Sequence, residues 1–301
     1  MGINKEYLGG VDLFKIILAC ITLAFHSNLH FGCTYGVLDP FIKLGAVSMT
    51  GFFMVSGFSL YYTYEKRNMF DCRQIRSFYL KRLSNIIPGY YFAALIDICF
   101  FDKSIPIKEQ LLLAPMGMFG IQSLLPVTWG FSHFGGTWFI SCIICCYIVF
   151  PYVIEMVKKF GIKERVFALV VLAFILIYAP VVSRHFGLVI IYINPFVRML
   201  EFIMGILCGS ILSSIKKRNV IKIISSPIVI AMEWVIMIVF VILASKSMTV
   251  GYDYFLSSWI CMPLFVFIIL GMACIKLEFI KKRPHLLAIL KGQTVRKPDR
   301  A

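Results

Sequence analysis

The chain has 301 residues, of which 60% are hydrophobic and only 15% charged, with a mean hydropathy of +0.87. A soluble domain carries about 25% charged residues and fewer apolar ones, so the composition excludes that class and indicates a polytopic membrane protein. The formal charge of +15 is spread over several loops without a DNA-binding motif, which argues against nucleic acid as partner and for anionic lipid head groups.

Eight segments approach the ~20 apolar residues that a bilayer core demands: 11–31, 40–63, 84–101, 136–157, 164–181, 186–213 with its core beginning near Pro195, 221–244 and 255–275. The expected fold is all-α, a polytopic transmembrane helix bundle of about eight spans forming a single integral-membrane domain over 1–301. Basic residues alternate between its two sides. Lys66, Arg67, Arg73, Arg76, Lys81 and Arg82, then Lys158, Lys159, Lys163 and Arg165, then Lys216, Lys217, Arg218 and Lys222, and the tail from Lys276 fall on one side. The intervening loops offer only Lys103, Lys108, Arg184 and Lys246, so both termini are expected in the cytoplasm.

In the first span, Lys15 and His26 lie eleven residues apart. At ~100° per residue this spacing returns both to nearly one helix face. Asp12 and Thr22 share the stripe and His30 follows His26 at i+4, so the column must face protein or a water-filled cavity. Lys15 and His26 stand about 16 Å apart along the axis, one near the cytoplasm and one in the outer half. Histidine exchanges a proton near neutral pH, which gives His26 a use as general base; a core histidine bonded to a neighbouring helix is the plainer alternative.

The second span ends in Gly51-Phe52-Phe53-Met54-Val55-Ser56-Gly57-Phe58, whose small residues allow close helix approach. The third contains Pro88, Tyr90 and Tyr91, with Asp97 near its outer end. Residues 102–135, rich in Gly, Pro and aromatics and including Trp129 and His133, are expected to cap an outward-facing cavity. The fourth span opens on Thr137 and Trp138, the latter suited to an interfacial belt. Cys142, Cys145 and Cys146 have no completing ligand set and read as helix packing rather than a metal site. Arg198 and Glu201 sit at i,i+3 and are placed to pair, whereas Glu233 is a lone intramembrane acid.

Gly10-Val11-Asp12-Leu13-Phe14-Lys15 leading to Phe25-His26, then Phe52 to Phe58, Phe78-Tyr79-Leu80-Lys81-Arg82, Pro88, Thr137-Trp138-Phe139 to Phe150-Pro151, and Pro195 to Phe202 together resemble the membrane-bound acyltransferase family 3, over residues 8 to about 213. The resemblance implies transfer of an acyl group, most often acetyl, from cytoplasmic acyl-CoA to a hydroxyl of an extracytoplasmic polysaccharide of the cell envelope, with no metal. It puts His26 in the catalytic position and Lys15 and Arg82 where the family carries arginines; on this reading Lys15, Lys81 and Arg82 are expected to meet the donor, and Asp12, Arg198, Glu201 and Trp138 to support the site. Two positions depart from the pattern: Lys15 stands for an arginine, and Asn85 replaces the second arginine of an Arg-x-x-Arg pair begun by Arg82. Lysine keeps the charge without the planar fork; asparagine loses the charge. The chain ends in the basic stretch Lys291 to Ala301, so the family's closing helices are expected to be missing by truncation. The residues alone also fit a transporter with a proton path along the column, or an inactive partner in a polysaccharide assembly complex.

Overall fold

The computed structural model describes residues 8–100, 108, 115–121, 124, 137–186, 191–215, 223–224, 226–247 and 261–275, and every regular element among them is helical. In chain order these are α1 (Gly9–Phe31), a 3₁₀ turn at Gly36–Leu38, α2 (Asp39–Lys43), α3 (Val47–Tyr64), α4 (Cys72–Phe100), α5 (Thr137–Lys159), α6 (Ile162–Phe186), a 3₁₀ turn at Ile191–Ile193, α7 (Pro195–Ser214), α8 (Pro227–Ser247) and α9 (Met262–Cys274). Helix is found in each of the eight expected places.

Eight full spans are not what the described residues show. By length and composition α1, residues Trp138–Lys159 of α5, and α7 suffice to cross a bilayer, and α2 with α3 make a fourth only as one span bent by 60°. The expected unbroken helix over 40–63 gives way at Leu44-Gly45-Ala46. A side chain on Gly45 would strike Phe25 of α1, so this turn is seated directly on the first helix. α4 begins twelve residues before the expected start at 84, because Arg73, Arg76, Lys81 and Arg82 hide a helical first half from an apolar count. α9 has 13 residues, short of a bilayer's ~20, and the apolar part of α8 covers Pro227–Ile242. The start of the eighth expected span, most of the 102–135 loop with Trp129 and His133, the side chain of Asp97, Lys216 to Lys222 and the tail from Lys276 lie outside the described residues.

Two helices form the centre. α3 and α7 are apolar on nearly all sides, as buried helices must be. Met54, Val55, Phe58, Met204 and Cys208 join a cluster with α1, α8 and α9, while Phe53, Tyr64, Phe202 and Ile206 join another with Phe78 of α4 and Phe150 of α5. The backbones of α3 and α7 touch where small residues face each other: a methyl on Gly57 would collide with the Phe202 carbonyl, and one on Gly205 with that of Met54. Gly205→Ala is therefore expected to destabilise by about 1–3 kcal/mol or more, since backbone cannot yield as a side chain can. A thermal unfolding scan in detergent, with the midpoint unmoved, would contradict this.

The basic segments converge at one end. Lys158 Nζ donates to the Arg67 carbonyl at 2.6 Å and to Glu155 at 2.7 Å, and Glu155 in turn accepts the Met69 N–H at 2.6 Å. Arg165 binds the Ser210 carbonyl at 3.0 Å and Ser214 Oγ at 2.5 Å, and Ser213 donates to Glu65 at 2.7 Å. At the opposite end Tyr90 and Tyr91 donate to the carbonyls of Gly117 and Met118, each at 2.6 Å, tying residues 115–121 to α4.

Candidate active site

α1 presents Gly9, Gly10, Val11, Phe14 and Leu18 to the bundle. Taking ~100° per residue, the Lys15–His26 direction lies about 90° from the centre of that face, at the margin of the packed side rather than on its back. Lys15 pairs with Asp12 Oδ1 at 3.2 Å. Thr22 Oγ1 donates to the Leu18 carbonyl at 2.9 Å and meets Ser48 Oγ of α3 at 2.7 Å. His26 packs edge-on to Phe25 at 5.2 Å and stacks on His30, with ring centroids 5.5 Å apart and planes 4° from parallel. The expected column thus resolves into three separate contacts, one at each end of α1 and one at its middle. Both imidazoles are exposed on the helix surface. Beyond them Gly32 caps α1 in the left-handed conformation at φ 63°, a shape that favours glycine, and Asn28 Nδ2 holds the returning chain at the Cys33 carbonyl, 2.7 Å away.

The i,i+3 pair of α7 is fully enclosed. Arg198 and Glu201 are both 0% exposed, and one guanidinium nitrogen donates to the two carboxylate oxygens at 2.8 Å each. Thr50 of α3 donates to Glu201 Oε1 at 2.9 Å, and Arg198 Nε donates to the Tyr192 carbonyl at 2.7 Å. The guanidinium lies over the ring of Tyr192 at 4.3 Å, with Trp138 at 5.5 Å and Phe53 at 5.6 Å. Trp138 therefore helps to enclose a cation in the core, which the interfacial reading of its position did not foresee. Asn194 caps α7 through the Phe196 N–H at 2.9 Å, and Pro195 starts it, so the two ends of this polar knot are rigidly placed.

At the basic end, Lys81 and Arg82 part company. Arg82 turns inward, its guanidinium 5.8 Å from the Tyr64 ring, and its Nε is buried with no hydrogen bond among the described residues. Lys81 is exposed and lines an open groove of about 580 Å³ with Arg73, Arg76, Ser77, Leu80 and Ser84. Lys15 and His26 belong to α1, which packs on α2, α3 and α9; Arg82 belongs to α4, which packs on α5. The donor-side candidates are thus carried by separate helices on either flank of α3. Glu233 of α8 is half-buried against Gly271 of α9, and its Oε2 has no hydrogen bond among the described residues.

Thr50, Tyr192 and Ser48 were not singled out in the sequence. The hydroxyls inside the apolar run Val47 to Phe53 were the available signal for Ser48 and Thr50, because a buried hydroxyl needs a partner; Tyr192, which acts through its carbonyl and ring, gave none.

An acyltransferase-domain family model matches residues 8–292, well past the point near residue 213 where the ordered motifs end. Comparison with curated proteins and with solved structures gave no significant match. With that match across nearly all of the chain, over helices fit to cross a membrane, the protein belongs to acyltransferase family 3 and has an acyl-transfer role.

Proposed function

We propose that the protein moves an acyl group, acetyl in the simplest case, from acyl-CoA at its basic end to a hydroxyl of a polysaccharide on the other side of the membrane. Both termini then lie in the cytoplasm, in keeping with the tendency of basic loops to stay on that side. The observation that carries this reading is the α1 stripe, which runs along the margin of the packed face from Lys15 to His26, in a chain whose family transfers acyl groups.

In this scheme Arg82 takes a phosphate of the donor, and Lys15, carried by another helix, stands below His26. The buried Nε of Arg82 is a donor left for an anion, and charge-assisted bonds to phosphate are among the strong ones. The pantetheine arm runs up toward His26, which stands ~16 Å above Lys15 along α1. His26 takes the proton of the acceptor hydroxyl as its oxygen attacks the thioester carbon; the C–S bond breaks, CoA leaves as thiolate, and the imidazolium returns the proton. The product is an O-acyl ester.

Labelled acetyl-CoA offered to the purified full chain in liposomes enclosing polysaccharide tests the scheme. Label on the glycan supports it, whereas solute or proton flux without label transfer replaces it with transport. Arg82→Gln should raise the KM for acyl-CoA by about 10- to 100-fold, the equivalent of one charged hydrogen bond of ~1.5–3 kcal/mol, with a smaller change in kcat. An unchanged KM would remove Arg82 from the donor site.

A further inference from the structure

The outward face of α4 carries a pattern that acyl transfer does not use. Taking ~100° per residue, Arg73, Arg76, Ser77, Leu80, Lys81 and Ser84 fall within an arc of about 140°, with Arg82 on the opposite, packed side. All six are exposed, and they line the open groove. Asp71, the nearest acid in sequence, accepts the Arg73 backbone N–H at 2.9 Å and is not part of the lining. Leu80, 61% exposed, sits among the cations. The same face continues past Ser84 as Pro88, Tyr91 and Leu95, all exposed. Among the described residues a cluster of cations with two hydroxyls therefore heads an exposed apolar stripe, met at Tyr91 by the Met118 carbonyl. From Lys81 to Tyr91 the stripe is about 15 Å long, half the ~30 Å thickness of a bilayer core and so the depth of one leaflet.

We infer that this face of α4 is a binding site for an anionic phospholipid. The phosphate sits among Arg73, Arg76 and Lys81, Ser77 and Ser84 reach the glycerol and head-group oxygens, and the acyl chains lie along Leu80, Tyr91 and Leu95. A soluble phosphate ester such as CoA shares the head-group chemistry but has no use for the apolar stripe.

Native mass spectrometry of the full chain extracted from bilayers of equal phosphatidylglycerol and phosphatidylcholine tests the site without reference to activity. Phosphatidylglycerol should be retained in preference, and R73Q with R76Q should weaken that retention by roughly fivefold for each arginine removed. R73K with R76K, which keeps both charges, should retain it. Equal retention of the two lipids, or retention unaffected in the glutamine variant, overturns the inference. So does displacement of phosphatidylglycerol by millimolar CoA, which would make the groove a donor site. Loss of acyl transfer with lipid retention intact would instead count against the proposed function alone.

Discussion

Replacing Glu201 with alanine is expected to destabilise the folded chain by about 3–5 kcal/mol, because it leaves a buried guanidinium without its counter-charge. Arg198 would keep the Tyr192 carbonyl and the aromatic rings around it. A cation over an aromatic face is worth roughly 0.5–2 kcal/mol, too little to hold a fully enclosed charge. Thr50 would lose its acceptor at the same time. The measurement is unfolding of the purified chain in detergent, by heat or denaturant, where the variant should melt well below the parent. The double variant Arg198→Met with Glu201→Leu separates charge from packing: removal of both ions should restore most of the loss, as apolar replacement of a buried pair often does. If the single variant is as stable as the parent, the pair is not a structural keystone and its enclosure needs another explanation.

His26→Ala should behave in the opposite way, cutting acyl transfer by about 10²- to 10⁴-fold while leaving the fold intact. The imidazole is exposed, and its contacts are ring contacts with Phe25 and His30, so its removal opens no cavity in the core. Stability should stay within about 0.5 kcal/mol of the parent. Transfer of labelled acetyl to polysaccharide and the unfolding midpoint are read on the same preparation. Undiminished transfer would take His26 out of the chemistry; lost transfer with lost stability would recast it as a structural residue.

These two residues also show how far reading the sequence reaches. The Arg198–Glu201 pairing was legible because it is a fact about one helix, for which ~100° per residue is a reliable ruler; the same ruler puts Lys15 and His26 on one side of α1, but their contacts there are separate. What completes each of them comes from elsewhere in the chain. Thr50 reaches Glu201 from 151 positions away, Tyr192 precedes α7 in a 3₁₀ turn, and Ser48 meets Thr22 across a helix contact. No spacing rule connects such residues. Hydropathy likewise marked eight places for helices but could not see the break at Leu44-Gly45-Ala46, which exists because Gly45 seats against Phe25 of another helix. It also missed the first half of α4, where cations and serines occupy an outward face and a count of apolar residues goes blind. Arg82 and Lys81 are neighbours in sequence, yet adjacent helical residues point about 100° apart, and here one enters the bundle while the other leaves it.

The close approach at Gly57 and Gly205 leaves no room for a side chain between α3 and α7. With hydrogen in place of a side chain at both positions the two backbones lie in direct contact, a closeness that any larger residue at either position would force apart. On the proposed function, an opening that admits donor and acceptor falls to the helices packed around this crossing, α1 and α4 among them. Spin labels on α3 and α7 should keep their distance through a catalytic cycle, while a pair on α1 and α4 should record the stroke.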